Sequence, residues 1–273
     1  ESAVLERALT HPIGTLPLVK LVLAGQSVCI ITSDMTRPCP SDRMLPAILT
    51  ELRRAGIHDD DVVIVLALGL HRPMTNAEIE ETVGIDICRA YKVVNHDPED
   101  TVRVGATEAG TPVDIFTTVA AADVRICLGN LEFHYFAGFS GGAKAIVPGC
   151  SSRDTLNANH AMMVLPTAKA GRVDDNPVRQ DLEEAAAMVG VDFILNVLVD
   201  DQHRIVEAVA GDLIAAHRRG CELVAQRGSV AISERADIVI VSSGGHPSDV
   251  NMYQAQKAFD NAAHAVKQGG IIV

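Results

Sequence analysis

Val28-Cys-Ile-Ile-Thr-Ser-Asp-Met-Thr-Arg-Pro38 is a β-branched apolar run that breaks into a polar turn. A short apolar run bounded by turn residues reads as a buried strand, and the polar residues begin where that strand ends. Outward from it the alternation recurs: a helical pattern from Leu45 to Ala55, then the run Val62-Val-Ile-Val-Leu66, then Tyr91 to Val94 and Val124-Arg-Ile-Cys-Leu128, and later Phe193-Ile-Leu-Asn-Val-Leu-Val199. Strands alternating with helices predict an α/β fold built on a doubly wound, mostly parallel sheet.

Local signals punctuate this pattern. Thr75-Asn-Ala-Glu78 is a capping box that opens a helix after the His71-Arg-Pro turn. Asn176-Pro177 offers an N-cap and a proline at the first helical position, Gln180 to Val189 continues the helix, and Gly190 ends it. Ile214 to Ala225 reads as a further helix.

Near Ser233 the pattern restarts with a strand from Asp237 to Val241, a turn at Ser242-Ser-Gly-Gly-His-Pro247, a helix from Tyr253 to Val266, a Gly269-Gly270 turn and the opening of a strand at Ile271-Ile-Val273. The expected organisation is an N-terminal α/β catalytic and cofactor-binding domain over residues 1–235 and the beginning of a second α/β domain over 236–273, with the active site in the cleft between them. A strand that has only begun needs neighbours and covering helices, so most of the second domain is expected to lie beyond residue 273, and the absent initiator methionine suggests trimming at the start.

The chain has 273 residues, with 48% hydrophobic and 21% charged, so it can bury a large core and is neither disordered nor membrane-like in composition. A formal net charge of −12 argues against a nucleic-acid partner, because phosphate backbones demand excess Lys and Arg. No apolar run is long enough to span a bilayer, and no signal peptide is visible. The six cysteines, Cys29, Cys39, Cys88, Cys127, Cys150 and Cys221, form no CxxC pair and read as buried reduced thiols of a cytoplasmic protein.

In an open α/β sheet ligands gather beyond the carboxyl ends of the strands. Polar turns stand at those places: Ser33-Asp-Met-Thr-Arg-Pro38, Gly69-Leu-His-Arg-Pro73, Asn95-His-Asp97, the segment around His134, and Gly244-Gly-His-Pro-Ser-Asp249. Together they predict a composite cleft, although each has a structural alternative. Asp34 can cap a turn, and Arg37 can grip a carboxylate or form a surface ion pair. His71 is placed for general acid or base work. His96 beside Asp97 reads as a structural, hydrogen-bonded turn, and His160, alone on a helix, reads by spacing as a packed residue.

Glu132-Phe-His-Tyr-Phe-Ala-Gly-Phe-Ser-Gly-Gly-Ala-Lys-Ala-Ile-Val-Pro-Gly149 carries His134 into a glycine-rich turn that presents Lys144. Gly138, Gly141, Gly142 and Ser140 could shape an anion site, and a plain strand-to-helix turn with a solvated lysine is the alternative. It is not a Walker A loop, since Ala145 stands where that motif needs a hydroxyl.

SDMTRP, GLHRP, FHYFAGFSGGAKAIVPG, NANH, NPVRQDLEEA and GGHPSDVNMYQAQK occur in an order that resembles the LarA-type lactate racemase family, which depends on a nickel-pincer nucleotide. The resemblance covers nearly the whole chain, and the FHYFAGFSGGAK block is its most specific part. It implies that Lys144 carries the cofactor, pyridinium-3-thioamide-5-thiocarboxylic acid mononucleotide, through a covalent thioamide, and that His160 ligates Ni(II). A lone imidazole beside the pincer's own donors suits the planar preference of Ni(II). The resemblance further implies that His71 and His134 are the two acid/base residues, that Arg37, Gln254 and Lys257 bind substrate, that Asp34 helps hold the cofactor site, and that Ser140, Gly141 and Gly142 lie near the nucleotide phosphate.

The implied activity is racemisation or epimerisation of a small 2-hydroxy acid, lactate or a relative, by hydride abstraction and return. The implied partners are that substrate and the proteins that make the cofactor. Two alternatives remain: another hydride-transfer enzyme acting on a hydroxy acid, and a small-anion or nucleotide-binding protein that never receives nickel.

Overall fold

The computed structural model describes residues 1–245, 249 and 252–273, the side chains of Tyr253 and Gln254 excepted. It divides into two compact units, Glu1–Ala225 and Gln226–Val273.

The strands of the first unit, in chain order, are β1 Val28–Ser33, β2 Val62–Ala67, β3 Lys92–Asn95, β4 Thr101–Ala106, β5 Pro112–Phe116, β6 Val124–Asn130, β7 Phe133–His134, β8 Gly138–Phe139, β9 Phe193–Val199 and β10 Ile205–Gly211. Six of them form one sheet in the order β10-β9-β6-β1-β2-β3. Every pairing in it is parallel except β9 with β10, an antiparallel edge. The sheet is thus α/β and mostly parallel, as the alternation of strands and helices requires.

Residues alternate across each strand, so successive side chains serve two cores. Val28 and Ile30 of β1 pack with Met44, Leu45, Ile48 and Leu52 of the helix Ser41–Arg54 on one face. Cys29 and Ile31 pack with Val178, Leu182 and Ala185 of the helix Pro177–Val189 on the other. Burial on both faces explains why these strands are apolar throughout. From β1 the chain winds outward to β2 and β3, whereas β6 and β9 lie on the opposite side, so the strand order reverses between β1 and β6. That reversal opens a crevice at the carboxyl ends of these two strands, just where Asp34 and the segment carrying His134 emerge.

Several local expectations are met residue by residue. Both reciprocal bonds of the Thr75–Glu78 capping box are present. The Asn176 side chain caps Arg179 N with Pro177 at the first helical position, and Gly190 closes the helix in a left-handed conformation. Others are corrected. The helix read from Leu45 starts earlier, at Ser41, and runs through Pro46, which has no N–H to bond back to the Asp42 carbonyl. The antiparallel pairs β4–β5 and β7–β8 have no sequence forecast. Four cysteines are buried, but Cys39 and Cys88 are only half-buried.

The second unit contains β11 Ala236–Val239, the helix Met252–Ala263 and β12 Val266–Ile272, with β11 and β12 parallel. Gly269-Gly270 is not a turn before a strand. It lies within β12 where the register with β11 slips, and Gly269 takes a φ of 79° there. Glycine supplies the positive φ that such a bulge needs.

Candidate active site

At the end of β1, Asp34 is almost fully buried and accepts on both oxygens. His71 Nδ1 stands 2.6 Å from Oδ2, while Thr36 donates to Oδ1 from its hydroxyl at 2.6 Å and its backbone N–H at 3.1 Å. Burial pushes the Asp34 carboxyl up, but the bonds from His71 and Thr36 outweigh it and hold the group below its usual range. Asp34 is therefore the ionised partner of His71, a role the sequence reading did not assign. Arg37 closes the same turn, its backbone N–H reaching Asp34 O at 3.3 Å, and its half-buried guanidinium meets no hydrogen-bond or ion-pair partner among the described residues.

The loop after β2 is tied to the next part of the site. Gly69 N donates to Gly149 O at 3.0 Å, and His71 N to Leu68 O at 2.9 Å. This joins the His71 turn to the far end of the segment that bears His134 and Lys144.

Phe136 organises that segment. Its ring lies edge-on to His134 at 4.6 Å and to His160 at 4.9 Å, and the Lys144 ammonium sits 5.7 Å from its centroid. One buried aromatic thus gathers three residues that are scattered in sequence. His134 also stacks on Tyr135 at 5.3 Å, and its Nδ1 accepts the Ala137 N–H at 3.2 Å. His160 stands in the helix Arg153–Ala161 with Nδ1 buried and without a hydrogen-bond partner. Burial and then the nearby Lys144 charge push the His160 imidazole down to about 4, so it is neutral at ordinary pH. The helix position that reads as packing does pack, against Phe136, within the field of the Lys144 charge.

Ser140, Gly141 and Gly142 are tied into the surrounding frame. The Ser140 hydroxyl accepts Glu132 N and donates to Asn130 O, both at 2.9 Å. Gly142 N donates to Asn196 Oδ1 at 2.9 Å, and a Cβ on Gly142 would stand 2.7 Å from His217 Cδ2. These polar groups are committed to the protein's own frame, and the glycines are required because Asn196 and His217 fill the space beside them. Ser140 and Gly142 thus shape the turn through their own bonds.

Buried polar groups complete the frame. Arg179, fully buried, donates to Ala137 O at 3.1 Å and to Phe139 O, and the Asn176 amide donates to Phe136 O at 2.8 Å. His217 Nε2 donates to Ser140 O at 2.9 Å. Sequence reasoning missed Arg179, Asn196, His217 and Phe136. A polar Asn196 inside the otherwise apolar Phe193–Val199 run was a usable signal, whereas nothing in the helical pattern marks Arg179 or His217. The His96-Asp97 turn is structural and hydrogen-bonded, His96 N donating to Leu66 O at 3.0 Å and Glu99 N to Asp97 Oδ1 at 3.0 Å, while the buried His96 ring packs edge-on to Phe116 at 5.6 Å with neither ring nitrogen partnered. Lys257 lies in the helix Met252–Ala263 of the second unit, and the Gln254 side chain lies outside the described residues.

Residues 1–171 match the family model of the lactate racemase N-terminal domain, and residues 231–273 that of the lactate racemase C-terminal domain. The chain belongs to the lactate racemase family. It is 39% identical to the lactate racemase of Thermoanaerobacterium thermosaccharolyticum and 37% identical to that of Lactiplantibacillus plantarum, over 100% of this chain and 65% of each relative. The chain therefore spans less than two thirds of the length of these relatives.

The solved lactate racemase apoprotein of T. thermosaccharolyticum superposes with a TM-score of 0.94 at 39% identity, covering 99% of this chain and 66% of that one. A Thermotoga maritima protein of known structure shares the fold at a TM-score of 0.68 and 22% identity, over 88% of this chain and 62% of that one. Among the described residues no helix is long and apolar enough to cross a membrane.

Proposed function

We propose that this chain is the larger part of a racemase of lactate or a closely related 2-hydroxy acid, working with a nickel-pincer nucleotide held by Lys144 and His160. The observation that carries the reading is the gathering of His134, His160 and Lys144 around Phe136. The residues fit the cofactor. His160 offers a half-buried, neutral imidazole whose buried Nδ1 has no hydrogen-bond partner, the form of histidine that binds metals. Among the described residues no cluster of His, Cys, Asp or Glu could hold a metal by itself, so a metal here would draw its other donors from an organic ligand.

When bound, such a cofactor supplies reversible hydride acceptance, which avoids forming a carbanion beside an ionised carboxylate. The protein's part is binding and proton transfer. The Arg37 guanidinium offers two parallel donors for the substrate carboxylate. His71, braced by Asp34, takes the hydroxyl proton of one enantiomer, and His134 serves at the opposite face. Gln254 and Lys257 are assigned to substrate binding and the cofactor-making proteins to partnership, both on the family likeness.

Intact-mass measurement tests the reading. Protein co-expressed with the cofactor-making enzymes should carry a covalent adduct that maps to Lys144. An unmodified chain under conditions that load a full-length relative would favour the alternative, an anion- or nucleotide-binding protein.

A further inference from the structure

We infer that His71 and His134 carry their ring protons on opposite nitrogens, His71 on Nδ1 and His134 on Nε2, so that the neutral pair presents one proton acceptor and one hydrogen-bond donor. The inference deepens the proposed function and rests on its reading of these histidines as the proton-handling pair. Each assignment follows from a partner that can play only one part. An ionised carboxylate only accepts, so the 2.6 Å contact with Asp34 Oδ2 requires a proton on His71 Nδ1 and leaves the lone pair on Nε2. A backbone N–H only donates, so the 3.2 Å contact from Ala137 requires the lone pair on His134 Nδ1 and puts the proton on Nε2.

The partner group of each ring is fixed in place. Asp34 is held by two further bonds from Thr36, which fixes the carboxylate that orients His71. Tyr135 lies nearly parallel to His134, with 16° between planes, while Phe136 stands at 88° to it. The Ala137 carbonyl is gripped by Arg179, so the peptide next to the donating N–H is anchored. Turning the His134 ring over would set a C–H against the Ala137 N–H and forfeit the bond.

The two histidines are then chemically unequal. At His71 the substrate O–H bond breaks and an N–H bond forms at Nε2, and the imidazolium charge that results faces the Asp34 carboxylate. At His134 the neutral ring donates a hydrogen bond from Nε2 to the substrate oxygen. Before it can accept a proton at Nε2, it must move its own proton to Nδ1 and release Ala137. Proton transfer in one direction is therefore built in, and in the other it requires a local rearrangement of the β7–β8 turn. A neutral imidazole used as a donor has precedent in enzymes that polarise a carbonyl.

Long-range 1H–15N correlation NMR on histidine-labelled protein, recorded over a pH series, reads the proton positions directly. His71→Gln and His134→Gln variants assign the two signal sets by deletion. The expected result is a pyrrole-type Nδ1 with a pyridine-type Nε2 for His71 and the reverse for His134. A pyrrole-type Nδ1 on His134, averaged nitrogens on either ring, or protons on both nitrogens of His71 would overturn the inference. Those outcomes leave the acid/base reading standing. Racemisation that survives loss of either histidine would defeat that reading instead, whatever the spectra show.

Discussion

The His160 ring meets Phe136 edge to face, with centroids 4.9 Å apart, and the same phenyl ring faces the Lys144 ammonium at 5.7 Å. The implied metal ligand and the implied attachment point thus share one buried neighbour. Phe136→Leu keeps most of the apolar volume but removes the flat edge that orients His160. The expected cost in folding stability is about 1 kcal/mol, within the range of volume-conserving core swaps. Nickel retention after maturation should fall several-fold more than that cost explains. Urea unfolding and plasma-emission metal analysis on the same preparation check it, and wild-type nickel content would reduce Phe136 to packing.

Lys144 and His160 should separate cleanly. Lys144→Ala removes the amine and should give a folded protein with no covalent adduct, because the half-buried loop lysine contributes little to the core. His160→Ala should keep the organic adduct while losing nickel. Intact mass and metal analysis distinguish the two phenotypes. An adduct on the Lys144→Ala protein, or stoichiometric nickel in His160→Ala, would move these roles to other residues.

The contrast between Arg37 and Arg179 shows what a sequence can and cannot disclose. Arg37 follows a strand and precedes a proline, so topology alone places it at the crevice. Arg179 sits in a helix whose periodicity is satisfied without it, and only the folded chain shows its guanidinium threaded under the Ala137 and Phe139 carbonyls. Caps and most strand limits follow from short-range patterns and were legible, as was the mostly parallel character of the sheet, whereas the strand order was not. The commitment of Ser140 and Gly142 to Asn130 and Asn196 was not, because a glycine-rich turn reads the same whether its donors face a ligand or the protein. The Asp34–His71 pair also spans elements that no local pattern links.

His96 predicts a pH dependence of stability. Burial pushes its imidazole down to about 4, with Asp97 opposing, from an ordinary value near 6.5. A depressed histidine stays neutral in the folded state while the unfolded chain takes up a proton. Its effect is absent above about pH 6.5, grows as pH falls, and saturates below about 4, reaching roughly 3 kcal/mol of lost stability by linkage. His96→Leu should leave stability at pH 7 within about 1.5 kcal/mol and flatten the acid limb by close to one proton. Urea midpoints of both proteins between pH 7 and 4.5 measure this, and parallel curves would show that His96 does not carry the effect.

The proton roles of His71 and His134 call for single-turnover measurement. Enantiomers have equal free energy in water, so kcat/KM in the two directions must remain equal in every variant, and steady-state rates conceal which histidine serves which face. Rapid mixing of cofactor-loaded protein with each pure enantiomer isolates the first half-reaction, read as cofactor reduction or 2-oxo acid formation. Removing a general acid or base typically costs ~10²–10⁴-fold. His71→Ala should therefore suppress the half-reaction of one enantiomer by that order and spare the other in part, and His134→Ala should do the converse. The larger loss is expected in His71→Ala, because its Nε2 is the acceptor already backed by a buried carboxylate. Equal losses for both enantiomers in both variants would reject a two-sided site.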